Sequence, residues 1–188
     1  MKNFRSTPIP LKMQALEKDH RGFPIPFIVM RDPAGKPLFT VNDSRKVNEV
    51  VKTLSCAICG EPLGDDMWVA GGPMSAFHPH GAYIDTPIHH ECGQYALQVC
   101  PYLAVSAYSG KADVDKLNDK FGSDTVIFVD PTVLADRPPM FVFAKISGYS
   151  RDNGYVHPHK PFLDIEFWNE GVKLTEEQGR DILKKHYS

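Results

Sequence analysis

The sequence contains few cysteines, no long apolar run and almost no net charge. Only four of its 188 residues are cysteine, and the formal net charge is -2. No apolar stretch approaches the roughly 18 residues that a membrane-spanning helix needs, so no membrane partner is expected. A near-neutral chain has no overall basic field, which disfavours nonspecific binding to nucleic acid unless a local basic patch exists.

The first residues, MKNFRSTPIPLKM, carry charge but no continuous apolar segment. A secretory signal needs such a segment, so none is predicted and the expected compartment is the reducing cytoplasm. In that compartment, closely spaced cysteines bind metal more often than they form disulfides. The four cysteines are therefore candidate metal ligands.

The composition is typical of a globular protein with a core. Hydrophobic residues make up 42% of the chain and charged residues 23%. Short strands mixed with about four helices, without a regular βαβ alternation, predict the α+β class with a mostly antiparallel sheet. The expected organisation is a single domain over 1–188, with an extended N-terminal arm over 1–22, a zinc element over 43–104, and a sheet with the C-terminal helix over 125–188.

Local patterns predict the individual elements. FIVMRD and PLFTV, on either side of PAGK, predict a β-hairpin. Apolar residues at the spacing i, i+3, i+4, i+7 predict a helix over 43–54; they are Val47, Val50, Val51 and Leu54. The other predicted elements are a short helix over 13–18, the strand MWVAGG, a loop over 71–86, a helix over 87–103 capped by Thr86, a helix over 113–121, the strands TVIFVD, PMFVFAKIS and FLDIEFW, the turn NEG, and a helix that starts at Thr175 with the capping box T-E-E-Q.

Two pairs of metal-ligating residues are separated by a long stretch of chain. Cys56 and Cys59 have the C-x2-C spacing of a tight knuckle, and Gly60 permits the positive φ that such a turn needs. His89 and Cys92 are three residues apart near the start of a predicted helix, so their side chains lie on one face and can reach one ion. The spacing predicts a closed, tetrahedral Cys3His site suited to one Zn²⁺ per chain.

Helix geometry leaves the neighbouring candidates out of this site. His90 points about 200° away from Cys92, and Cys100 lies about 12 Å further along the helix. Four protein ligands leave no open position for water, so the predicted role of the ion is structural. A knuckle followed by two ligands in the first turn of a helix resembles the treble-clef arrangement, over residues 56–100.

Several segments resemble a set of uncharacterised proteins from bacteria and their phages. The segments are DHRGFPIPFIV, CAICGEPLG, GGPMS, HHECGQYALQVCPYLA and FWNEGVKL, which together span most of residues 19–174. The resemblance implies the same C-x2-C and H-x2-C ligands, an origin in a phage or mobile element, and a bacterial or phage-infected cytoplasm. It implies no reaction.

The predicted function is that of a zinc-stabilised binding or regulatory protein that acts through contacts with another protein. No residue is assigned a catalytic role. One alternative is a metal-dependent hydrolase of the HNH-like nuclease class, which needs a second, open metal site. The groups available for such a site are His78, His80, Asp85 and His90.

Two further patterns bear on these alternatives. The HPH triplets at 78–80 and 157–159 each place two imidazoles on the same side of an extended chain, so four histidines would gather a second metal if the two segments met. Exposed turns with incidental histidines are the simpler interpretation. A nucleic-acid-binding zinc protein is the other alternative, and it would need a basic strip at Arg45, Lys46 and Lys52.

Overall fold

A computed structural model describes residues 6–105 and 137–187 of the chain. The predicted helix over 113–121 and the strand TVIFVD lie outside these residues. The described residues form five α-helices and eight strands, all paired antiparallel, so the α+β prediction is confirmed. Within the two described ranges, no helix is long and apolar enough to cross a membrane.

The elements follow one another in a mixed order. The strands are β1 (Val29–Arg31), β2 (Pro37–Asn42), β3 (Trp68–Gly71), β4 (Phe141–Lys145), β5 (Tyr149–Asp152), β6 (Tyr155–Pro158), β7 (Asp164–Asn169) and β8 (Val172–Leu174). The helices are α1 (Ser44–Thr53), α2 (Pro73–Phe77), α3 (His90–Val99), α4 (Pro101–Ala104) and α5 (Glu176–Tyr187), and a 3-10 turn covers Leu11–Met13.

The main sheet has four antiparallel strands in the order β3-β4-β7-β8, and β1-β2 and β5-β6 form separate hairpins. Side chains alternate across a strand. Phe141 and Phe143 of β4 therefore pack on one face, in a core cluster that also contains Cys56 and Cys92. We call this side of the sheet the cysteine face. Val142 and Ala144 belong to clusters on the opposite face.

The predicted helix over 43–54 is observed as α1. The side chain of Asp43 accepts a hydrogen bond from the backbone N–H of Arg45 at 3.0 Å and so caps its first turn. Val47 and Val50 are buried, as the apolar stripe predicts. Leu54 is not part of the buried stripe: it is 56% exposed, because its left-handed backbone, with φ of 50°, ends the helix.

The capping box before α5 is also confirmed. The backbone N–H of Thr175 donates to Gln178 Oε1 at 2.9 Å, and the N–H of Gln178 donates to Thr175 Oγ1 at 3.2 Å. These reciprocal bonds satisfy two of the amide groups that a helix N-terminus leaves without a partner inside the helix.

The predicted helix over 87–103 is wrong at both ends. Ile88 exchanges backbone hydrogen bonds with Trp68 at 2.8 and 2.9 Å, which holds the chain extended, so α3 begins only at His90. Thr86 is not the cap, and its buried Oγ1 has no hydrogen-bond partner. Pro101 has no N–H to continue α3, so the chain turns and starts the short α4.

Three other segments differ from their predictions. The loop predicted over 71–86 contains α2, whose first residue is Pro73, and the helix predicted over 13–18 is replaced by the 3-10 turn at Leu11–Met13. The second HPH triplet, interpreted as an exposed turn, lies partly in a strand: His157 and Pro158 belong to β6, which forms a hairpin with β5. Met13 is only 2% exposed and packs in the same cluster as Cys56 and Cys92.

Candidate metal centre

A tight turn presents the first pair of candidate ligands. The N–H of Cys56 donates to Glu61 O and the N–H of Gly60 donates to Cys56 O, both at 2.8 Å, which closes the turn around Cys59. Gly60 has φ of +81°, a conformation that side-chain-bearing residues rarely adopt, and a Cβ there would lie 3.0 Å from the ring of Phe27. The local sequence therefore shapes the turn before any ion is bound.

Cross-strand pairing brings the second pair to the turn. The Ile88–Trp68 bridge fixes the chain just before α3, and Ala57 N–H donates to Pro87 O at 3.2 Å. His89 follows as the residue that precedes the first helical position, and its carbonyl accepts the first helical hydrogen bond from Gly93 at 2.9 Å. The helix thus starts directly against the cysteine turn.

The structure brings the four predicted side chains together. One ligand atom from each of Cys56, Cys59, His89 and Cys92 lies within 4.8 Å of the others. All four residues are buried, with exposed fractions between 0% and 9%. This cluster is the one group of three or more metal-ligating side chains at such distances in the described part of the chain, and Cys100 is not in it.

Hydrogen bonding orients the imidazole of His89. Its Nε2 lies 3.0 Å from Pro62 O, a carbonyl that can only accept, so Nε2 carries the proton. Its Nδ1 lies 3.3 Å from Cys59 Sγ and is the nitrogen that points into the cluster. A ligating histidine is commonly held this way, with its second nitrogen donating to a carbonyl or carboxylate.

The three sulfurs of the cluster are coupled through hydrogen bonds. Thiol hydrogen bonds from Cys59 and Cys92 lower the pKa of Cys56 to about 2. The bond with Cys56 raises the pKa of Cys59 to about 11, and the bonds with Cys56 and Cys59 raise the pKa of Cys92 above its ordinary value. The N–H of His89 also donates to Cys56 Sγ at 3.4 Å, at the positive end of the α3 dipole. Cys59 and Cys92 would lose their protons only on binding a divalent cation, which would stabilise the three thiolates together.

A buried carboxylate supports α3 from the sheet. Glu166 of β7 is 5% exposed and accepts hydrogen bonds from His90 Nε2 at 2.8 Å, Lys173 Nζ at 2.7 Å and Trp168 Nε1 at 2.9 Å. Burial alone would raise the pKa of Glu166, but these hydrogen bonds outweigh it and lower the pKa to about 2. Gln94 of α3 also donates to this carboxylate.

Glu166 was not among the predicted site residues. Its signal was the alternation in β7, which places Glu166 on the same face as Trp168 and so on the cysteine face of the sheet. The main partner of Glu166 on α3 is His90, which is one of the groups available for the open metal site of the nuclease alternative. The Nε2 of His90 is instead hydrogen-bonded to the Glu166 carboxylate, and the ring centres of His90 and Trp68 lie 4.3 Å apart.

The two segments that carry the HPH triplets do meet. Tyr83 and Val156 exchange backbone hydrogen bonds at 2.9 and 2.7 Å, and Lys160 Nζ donates to His78 O at 3.1 Å. The contact does not gather three or more of the four histidines into a metal site among the described residues. His78 Nδ1 accepts a hydrogen bond from the N–H of His80 at 3.2 Å, so it is already engaged locally.

The three basic residues that the nucleic-acid alternative needs all lie on α1. Arg45 pairs with Asp43 at 3.1 Å, and Lys46 Nζ lies 5.2 Å from the ring centre of Phe27. Glu49 lies on the same helix between these residues and Lys52. Binding of nucleic acid at Arg45, Lys46 and Lys52 stays a prediction.

Comparison with known proteins adds no function to this geometry. No family model matches the chain, and no match is found among curated proteins or solved structures. The cluster of candidate metal ligands is therefore the main evidence about function.

Proposed function

We propose that the chain is a zinc-binding protein in which Cys56, Cys59, His89 and Cys92 hold one structural ion. The single observation that carries this proposal is the burial of these four ligand atoms within 4.8 Å of one another. Three sulfurs and one imidazole nitrogen favour Zn²⁺ over hard cations such as Mg²⁺ and Ca²⁺, which take oxygen ligands.

The proposed role is structural because the ligand set is complete. Four protein ligands fill a tetrahedron and leave no position for a reactive water. We include a treble-clef-like element in this proposal, and its support is that the Trp68–Ile88 pairing brings the start of α3, with His89 and Cys92, to the cysteine turn. A structural zinc contributes on the order of 10 kcal/mol to folding, comparable with the net stability of a domain.

Beyond the metal, we propose a binding or regulatory role exerted through contacts with another protein. The support is partly chemical: the titratable groups around the cluster are engaged, His90 with Glu166 and Asp66 with the N–H groups of His90 and Trp68. Exposed apolar side chains supply the contact surface, including Leu163 at 60% and Phe77 at 43% exposure. An origin in a phage or mobile element remains part of this proposal.

Metal analysis of the purified protein tests the structural zinc. We expect one zinc per chain, loss of zinc and of soluble protein in Cys59→Ser, and retained zinc in Cys100→Ser, because Cys100 lies outside the cluster. His80→Ala should keep both fold and zinc. Absence of zinc from the protein as purified would refute the proposal, and two metals per chain would restore the hydrolase alternative.

Chelation supplies a second measurement on the same protein. Removing the ion with a strong chelator should lower the thermal midpoint by many degrees, since the coordination bonds that join the cysteine turn to α3 are lost. Adding zinc back should restore the midpoint. An unchanged midpoint in protein shown to be free of metal would contradict a structural role.

A further inference from the structure

A short segment just after the cysteine turn contacts the start of α3 twice. Pro62 O lies 3.0 Å from His89 Nε2, and Asp66 Oδ2 accepts a hydrogen bond from the backbone N–H of His90 at 3.1 Å. The first contact orients the imidazole of the candidate ligand. The second contact acts on the backbone that carries this imidazole.

The peptide unit between His89 and His90 is held at both of its polar ends. Asp66 binds its N–H, and its carbonyl, on His89, accepts a hydrogen bond from the N–H of Gly93 at 2.9 Å. A peptide unit is planar, so two such bonds fix the rotation of the whole plane. The direction in which the backbone presents the side chain of His89 therefore depends on Asp66.

Helix α3 does not cap itself. The residue at its cap position is His89, whose side chain makes no capping hydrogen bond, because its ring nitrogens face Pro62 O and Cys59 Sγ. An aspartate or asparagine at the cap position normally accepts a hydrogen bond from an N–H of the first turn, and a negative group there also interacts favourably with the helix dipole. Asp66 supplies this acceptor from another part of the chain.

The carboxylate of Asp66 is itself held in place. Its Oδ1 accepts a hydrogen bond from Trp68 Nε1 at 2.9 Å, and the backbone N–H of Asp66 donates to Leu63 O at 3.1 Å. Trp68 is 4% exposed, and its backbone exchanges two hydrogen bonds with Ile88. The acceptor that binds the start of α3 is therefore anchored to the same strand that pairs with the chain just before the helix.

We propose that Asp66 is a positioning residue of the metal centre. It fixes the start of α3 so that the ligand atoms of His89 and Cys92 meet the cysteine turn, although it is not one of the four candidate ligands. Groups that hold the ligands of a metal in this way typically change its affinity by 10- to 100-fold when they are removed. This proposal rests on the proposed structural ion and names a residue on which its affinity depends.

Zinc affinity, measured on the full chain by competition with a chromogenic chelator, tests this role. Asp66→Ala should bind zinc about tenfold more weakly than the parent. Asp66→Asn keeps an acceptor oxygen and caps a helix about as well as aspartate, so it should bind more tightly than Asp66→Ala. Asp65→Ala removes the neighbouring exposed carboxylate and should match the parent. Equal affinities of Asp66→Ala and Asp65→Ala, or of the two Asp66 variants, would overturn the proposal.

Two readouts separate positioning of the ligands from a general loss of stability. Cobalt(II) bound in place of zinc absorbs visible light, and its bands report the arrangement of the ligands; they should shift in Asp66→Ala and stay unchanged in Asp65→Ala. The thermal midpoint is measured with and without zinc. Weaker zinc binding lowers the midpoint of the loaded Asp66→Ala protein more than that of the metal-free protein. Equal lowering of both midpoints, or an unchanged cobalt spectrum, would reduce Asp66 to a structural residue and overturn the proposal.

A measurement on the unaltered protein applies even if Asp66→Ala does not fold. The backbone amide of His90 should exchange slowly with solvent in the zinc-loaded protein, because Asp66 binds it, although first-turn amides have no partner inside the helix. Fast exchange of this amide would overturn the proposal. Absence of zinc from the parent would refute the structural ion and the role of Asp66 together, whereas equal zinc affinity of the parent and Asp66→Ala would overturn the role of Asp66 alone.

Discussion

Glu166 Oε1 lies 2.8 Å from His90 Nε2, and this contact ties the first turn of α3 to the middle of the main sheet. Because His90 directly follows His89, the carboxylate of β7 holds the backbone that carries the candidate ligand. The sheet and the candidate metal centre are thus joined by a buried polar bond as well as by apolar packing.

Removing this carboxylate should destabilise the protein. Glu166→Ala leaves His90, Trp168 and Gln94 without their acceptor in a buried setting, and we expect the free energy of unfolding to fall by about 3 kcal/mol. Glu176→Ala breaks an exposed ion pair and should cost less than about 1 kcal/mol. Urea unfolding measures the free energy of unfolding of both variants. Equal losses would contradict a stabilising role for the buried Glu166 carboxylate.

The same carboxylate should make the free energy of unfolding depend on pH in the acid range. The pKa of Glu166 is lowered from 4.5 to about 2 in the folded protein, so the stability it contributes is present above pH 4.5 and is lost as the pH falls towards 2. The full contribution is up to about 3 kcal/mol. Glu166→Gln should therefore lose less stability than the parent between pH 4.5 and 2, and parallel pH profiles in urea unfolding would contradict this.

Gly60→Ala should weaken the cysteine turn. The substitution puts a side chain at φ of +81° and within 3.0 Å of Phe27, and we expect a loss of about 2 kcal/mol in the zinc-loaded protein. Gly35 has the same φ of +81° but open space around its Cβ position, so Gly35→Ala isolates the backbone strain. A loss in Gly60→Ala no larger than in Gly35→Ala would show that contact with Phe27 contributes nothing.

Gly93→Ala should displace α3 from the sheet. Alanine normally stabilises a helix relative to glycine by about 1 kcal/mol, but a Cβ at Gly93 would collide with the ring of Phe143. We expect lower stability and weaker zinc binding, measured by competition with a chromogenic chelator. Gln98→Ala, further along the same helix, should change neither, and unaltered zinc affinity in Gly93→Ala would contradict the proposed packing.

The candidate ligands could be predicted from sequence because their geometry is local. C-x2-C defines a turn, and His89 and Cys92 are three positions apart on one side of a helix start. Only the meeting of the two pairs depends on tertiary structure, through the Ile88–Trp68 bridge. The same bridge explains why α3 starts later than predicted, since the cap expected at Thr86 falls in a segment that pairs with a strand.

The supporting network could not be predicted in the same way. Glu166 and His90 are far apart along the chain, and no spacing rule relates residues on a helix to residues on a distant strand. The β5-β6 hairpin, by contrast, carried a local signal: Asn153 and Gly154 have φ of 48° and 87°, as the Asn-Gly pair of a tight hairpin requires. The sequence analysis considered only the histidines of the neighbouring triplet and did not predict this hairpin.

Met13 packs the N-terminal segment against the core that contains the cysteines. Its side chain is buried in the core cluster that also contains Cys56 and Cys92, while the adjacent Lys12 pairs with Glu91 of α3 at 2.9 Å. The segment around Met13 therefore helps to shield the cysteine cluster from water. We expect a protease cut after Met13 to expose the thiols to water and to weaken the proposed metal binding without touching any of the four candidate ligands.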